Sequence, residues 1–78
     1  MTKPFSIKLL RNILIEHQYE KVRWPNDRRP VIIDAMTAQI CLKVFDTMSD
    51  KAKQKIEEEL KTRDGFIKFY NMARRCVS

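Results

Sequence analysis

The sequence predicts an all-α protein: a small bundle of three to four helices, with a short irregular or hairpin-like segment at about residues 20–31, folded as a single helical domain over residues 1–78. Three observations lead there. Apolar residues recur at helical spacing in the segments either side of a proline- and arginine-rich stretch. The composition, with one glycine and many Leu, Ile, Met and Lys, favours helices over sheet. At 78 residues the chain supports one core and buries only about 60–65% of its unfolded surface.

The first helix is expected from about Pro4 to about Tyr19, with Thr2 as cap and Pro4 in the first turn. At 100° per residue, Phe5, Ile7, Leu9, Leu10, Ile13 and Leu14 make one broad apolar face, with His17 near its middle. Lys8, Arg11 and Gln18 lie opposite. Ile15, Tyr19 and Val22 form a second apolar stripe on the charged side, which needs a cover or a partner.

Tyr19 to Pro30 is the least ordinary stretch: it holds the only tryptophan, two of the three prolines and four cations. Trp24-Pro25-Asn26-Asp27 suits a type I turn with proline second. Lys21–Trp24 and Arg29–Ile32 then pair as a short hairpin, or the segment is a loop that enters the second helix directly. Pro30 weakens the hairpin by removing a ladder donor.

The second helix starts at about Val31 or Ala35 and ends at Met48, with Asp27 or Asp34 as cap. Ile33, Met36, Ile40, Cys41, Val44, Phe45 and Met48 fill half of its wheel, and Ala35, Ala38 and Leu42 line a second edge. Only Gln39, Lys43 and Asp46 are clearly wet, so this helix is central or packs on a second subunit. Ser49 caps a third helix whose apolar stripe is narrow (Ala52, Ile56, Leu60) and whose lysines precede its glutamates, against the helix dipole. It reads as peripheral. Gly65 closes that helix, and Thr62 or Asp64 caps the fourth, Phe66 to Val77. Phe66, Phe69, Tyr70, Ala73, Cys76 and Val77 make its core face; Lys68, Asn71 and Arg75 share the outer face, with Arg74 beside them.

The net charge of +6 is uneven: +3 over residues 1–34, zero over 35–64, and +3 over 65–78. A basic excess points toward a polyanionic partner. Two cysteines with no export signal read as reduced, half-buried hydrophobes. No apolar run exceeds three residues. The expectation is a soluble cytoplasmic chain with no membrane contact.

Enzymatic chemistry finds little footing. His17 is the single histidine and sits on the apolar face; Glu57, Glu58 and Glu59 fan out around a helix and do not converge. No Cys or His pair has metal-ligand spacing, and one glycine excludes a phosphate-cradling loop. The expectation is a non-enzymatic protein with no catalytic residue, no metal, no cofactor and no small-molecule substrate.

Two binding functions remain. In the favoured one, Lys21, Arg23, Arg28 and Arg29 around Trp24, with Lys68, Arg74 and Arg75 on the last helix, grip nucleic acid while Trp24 stacks. Trp24 also has a structural alternative, as a plug over Ile15 and Tyr19. Ala38–Leu60 reads poorly as a helix-turn-helix, because the turn glycine is missing and Glu57–Glu59 would face phosphates. In the other function the same basic residues meet an acidic protein surface, and Ile15, Tyr19 and Val22 supply a protein interface, including that of a homodimer. The size suits an intracellular regulator or inhibitor of the kind mobile genetic elements encode.

Overall fold

The computed structural model describes residues 2–77, the last of them by its backbone only. Four helices form most of the chain, and a three-stranded sheet covers one side of them. The order is β1 (Lys3–Pro4), α1 (Ile7–Glu16), β2 (Glu20–Arg23), β3 (Val31–Ile33), α2 (Ala35–Phe45), α3 (Asp50–Glu59) and α4 (Arg63–Val77). The fold is mostly helical, but all-α is too simple.

The sheet explains why α1 is shorter than its periodicity suggests. Ser6, not Thr2, is the cap: its extended backbone leaves Oγ to accept the Leu9 N–H at 3.0 Å. The residues before it are thereby freed as β1, which pairs parallel with β2, Lys3 with Val22 and Pro4 with Arg23. A proline is tolerated there because β1 is an edge strand. The parallel pairing also requires a long crossover, which α1 provides. At its other end α1 stops at Glu16, where His17 adopts the left-handed conformation (φ 53°) and returns its N–H to the Ile13 carbonyl. His17 is therefore an exposed helix terminator and not part of the apolar face.

The segment that read as hairpin or loop is a hairpin. Glu20 pairs with Ile33, Lys21 with Ile32, and Val22 with Val31. Trp24 to Asp27 closes as a turn with Pro25 second, the Asp27 N–H donating to the Trp24 carbonyl at 3.1 Å. The ladder ends at Val31, one residue after Pro30. Because β2 is a strand, the Ile15–Tyr19–Val22 stripe does not exist: Val22 faces inward and is fully buried, whereas Ile15 and Tyr19 stay in solvent.

Asp34 caps α2 by accepting the Thr37 N–H at 2.7 Å. That helix is the central one, between α1 and α4, and buries Ala38, Cys41, Leu42 and Phe45. Met36, expected inside, is 70% exposed in the first turn. Ser49 caps α3, which buries no residue of its own and so is peripheral as expected. Phe66, Phe69 and Ala73 of α4 enter the core, but Cys76 is exposed; Val77's side chain lies outside the described residues. Cys41 and Cys76 are both free thiols.

Gly65 does not end α3. It sits in the first turn of α4, where its N–H donates to Thr62 Oγ1 at 3.0 Å. A Cβ here would lie 1.8 Å from the Glu59 carbonyl oxygen, so only glycine lets the end of α3 approach α4 this closely. Trp24 ties the layers together. Its Nε1–H donates to the Leu60 carbonyl at 2.8 Å, filling one of the acceptors left over at the α3 C-terminus. Its ring stacks on Phe5 (5.1 Å between centroids, 19°) and leans on Phe66 (5.4 Å).

Two substitutions test this packing by denaturant unfolding. Gly65→Ala destabilises by about 2–3 kcal/mol despite the better helix propensity of alanine, because backbone must move. Trp24→Phe keeps the ring packing but strands the Leu60 carbonyl, at roughly 1–3 kcal/mol. An unchanged midpoint in either variant contradicts the packing described.

Candidate partner-binding surface

The pleat of β2 divides the basic-aromatic segment in two. Val22 and Trp24 point to the core; Lys21 and Arg23 point to solvent on the opposite face. Trp24 is 2% exposed, with Phe5 and Phe66 against its ring, so it has no face to offer a base. It is a plug, but for the junction of Phe5, Phe66 and Leu60 and not for Ile15 and Tyr19. Val22, likewise buried, is unavailable as an interface residue.

The cations are also less concentrated than the sequence suggests. Arg29 folds back on Asp27, with Nη2 to Oδ2 at 3.0 Å, Nε to Oδ1 at 3.1 Å, and its own backbone N–H to Oδ1 at 2.9 Å. The Arg29 side-chain bonds, and then its backbone N–H, pull the Asp27 carboxyl down to about 2. Arg63 adds a small push in the same direction, which places this turn beside the start of α4. On α4, the Arg74 guanidinium rests over the Tyr70 ring at 5.6 Å, while Lys68 and Arg75 are exposed on the outer side. Among the described residues Lys21, Arg23, Arg28 and Lys68 form no ion pair.

What the structure does bring together is apolar. Five large hydrophobic side chains are notably exposed: Ile15 (74%), Tyr19 (70%), Met36 (70%), Ile32 (60%) and Met72. The first four belong to elements that meet at one end of the molecule. Ile15 borders a groove of about 320 Å³ between α1 and α2, where Leu14 and Leu42 supply the apolar lining and Gln39 and Lys43 the rim. Arg11 and Asp46 close the far end of that groove through a two-pronged contact (2.7 and 3.2 Å), which holds the Asp46 carboxyl below its ordinary range. One step beyond the Glu20–Ile33 pair lie Tyr19 and Asp34, with Met36 two residues further on. Ile32, opposite Lys21, continues the same side along the sheet. Ile15, Tyr19, Ile32 and Met36 are thus exposed on consecutive or paired segments of the chain, with Lys21 opposite Ile32 and Lys43 on the groove that Ile15 borders.

The sequence pattern singles out Ile15 and Tyr19 but not Met36, which reads as core, or Ile32, which reads only as the end of a possible hairpin strand. The Asp27–Arg29 contact was also missed, although Asp-x-Arg in a turn is the signal for it. Burial pushes the Cys41 thiol up to about 12, which makes it a poor nucleophile or ligand. Among the described residues no three His, Cys, Asp or Glu side chains group closely enough to hold a metal ion. No described helix is long and apolar enough to cross a membrane. A second hollow, about 580 Å³, opens over Phe5, Trp24 and Leu60, with Asn26, Glu57 and Lys61 at its edge.

No protein-family model matches the chain, and no curated protein or solved structure matches it either.

The Asp27–Arg29 contact has a direct check. Carboxyl chemical shifts followed by NMR place the Asp27 midpoint near 2, and Arg29→Ala returns it toward the ordinary 3.8. Because the folded value is lowered, the contribution of the contact to stability is complete above the unfolded carboxylate range and fades as pH falls toward 2. A wild-type midpoint near 3.8 removes the contact in solution.

Proposed function

We propose that this protein is a small non-enzymatic binding module whose partner is an acidic protein surface, engaged by Ile15, Tyr19, Ile32 and Met36. The exposure of these four side chains at one end of the molecule carries the reading. A domain this small has little apolar material to spare, and leaving it in water costs roughly 1–2 kcal/mol per side chain relative to burial. Aromatic residues, Met and Arg are also the types enriched at interface cores. The margin of Lys21, Arg23 and Lys43 supplies the charge preference, by which acidic partners are steered in. A regulatory or inhibitory role in the cytoplasm suits such a module, and the two free cysteines accord with a reducing compartment.

Nucleic acid is the second reading. Lys21 and Arg23 alternate along β2 on the open face of the sheet and Tyr19 stands just before the strand, an arrangement that lets a base stack on the tyrosine while the cations hold phosphates. Arg28 extends that basic track; Lys68 and Arg75 lie on a different element.

Selection from a random-peptide display library against the purified protein discriminates the two. The expected products combine Asp or Glu with aromatic or aliphatic residues, and Ile15→Asp or Tyr19→Asp weakens their binding by about tenfold or more. Lys68→Glu leaves it unchanged. If the library yields nothing while a labelled single-stranded oligonucleotide shifts at low salt, and Lys21→Glu with Arg23→Glu abolishes the shift, the second reading replaces the first. Failure of both probes sinks both.

A further inference from the structure

We infer that the free edge of β3 is a self-association edge, over which a second copy of this chain adds antiparallel to make one continuous six-stranded sheet. The strand order β1-β2-β3 leaves the outer side of β3 without a neighbour. Apart from the ladder to β2, no hydrogen bond among the described residues involves Val31, Ile32 or Ile33, so the outward N–H and C=O groups of this strand have no protein partner. Such edges pair with other strands unless something prevents it. The usual guards are a very short strand, lysine, an inward charge, a bulge, a proline within the strand or a covering helix or loop. Val-Ile-Ile has no lysine, charge, bulge or proline; its guard is its length of three residues, set by Pro30 just outside, which keeps the pairing weak.

The strand is also complementary to itself. With a two-fold axis through Ile32, Val31 of one copy faces Ile33 of the other, and the two Ile32 side chains meet on the open face of the sheet. The strand is cationic where it begins, at Arg28 and Arg29, and anionic where it ends, at Asp34. Antiparallel pairing sets each basic end beside the other copy's Asp34, whereas parallel pairing would set like beside like. Asp27 offsets the Arg29 charge, which leaves Arg28 as the unpaired cation for that role. Lys21 and Arg23 lie one strand further back, so across the junction they are separated by three strand spacings, about 14 Å, and are largely screened from each other at physiological salt. Three residues of pairing make a small contact, so the association is weak and depends on concentration. It shares Ile32 with the proposed partner-binding surface, but it rests on the backbone edge of β3 and not on what Ile15, Tyr19 and Met36 bind.

Light scattering across a dilution series of the purified full chain tests it, together with amide hydrogen exchange. The expected result is a monomer–dimer equilibrium in which the amides of residues 31–33 gain protection as concentration rises. Ile32→Lys, at a side chain already 60% exposed, keeps the circular dichroism spectrum and weakens self-association about tenfold or more. Arg28→Glu weakens it in the same direction, and Ile15→Asp leaves it unchanged. A strictly monomeric mass at every concentration overturns the inference. So does a dimer that survives Ile32→Lys undiminished, or one in which residues 31–33 stay as unprotected as in the monomer.

Discussion

The indole N–H of Trp24 meeting the Leu60 carbonyl at 2.8 Å is where the two layers of this protein are joined. Leu60 ends α3, and its carbonyl is one that no turn of the helix can satisfy. Trp24 leaves β2 as the chain enters the tight turn, and Phe5 lies between β1 and α1. Phe66, from the first turns of α4, completes a three-ring cluster with centroid separations of 5.1 to 5.4 Å. One side chain therefore fixes the hairpin, the N-terminal strand and the α3–α4 corner against one another. Burying a ring of this size contributes roughly 4–6 kcal/mol before ordering costs, a large share of the margin available to so short a chain. The close approach at Gly65 sits in the same corner, since Leu60 can reach Trp24 only if the end of α3 lies against the start of α4.

That arrangement redirects the functional reading. A tryptophan among arginines looks like a contact for nucleic acid, but the ring is spent on the core, and Arg29 is spent on Asp27. Facing solvent on the hairpin are Lys21, Arg23 and Ile32, and Tyr19, Met36 and Ile15 are exposed on the segments that flank it. Their character is mixed: apolar in the middle and cationic at the margin. Such a surface favours a partner with apolar groups of its own over a plain polyanion.

Helix faces were legible because 3.6-residue periodicity is local. Leu9, Leu10 and Ile13 on α1, Ala38, Cys41, Leu42 and Phe45 on α2, and Phe66, Phe69 and Ala73 on α4 all face the core as their spacing requires. Three caps, at Asp34, Ser49 and Thr62, were readable from residue type, as was the Trp24–Asp27 turn. The ends of α1 were not. Thr2 and Pro4 suit a helix start, and the apolar pattern runs on through His17 and Tyr19. What overrode both signals was β1 pairing with residues nineteen positions away, and no local pattern encodes a partner at that distance. Once β2 formed, period 2 replaced period 3.6, and Val22 moved from an exposed stripe to full burial.

Sequence alone therefore determined part of what local physics sets: most core-facing residues of α1, α2 and α4, the Ser49 cap, the Trp24–Asp27 turn, the peripheral place of α3 and the uneven basic charge. Tertiary structure alone decided what each ambiguous side chain is for. Trp24 became core because Leu60 presents an unfilled carbonyl and Phe5 and Phe66 present rings. His17 became a terminator because the chain must turn back to reach β1. Ile32 and Met36 became surface because the pleat of β3 and the first turn of α2 point them away from the core. Whether an apolar side chain is buried depends on which neighbours arrive to cover it, and that is a property of the assembled layers.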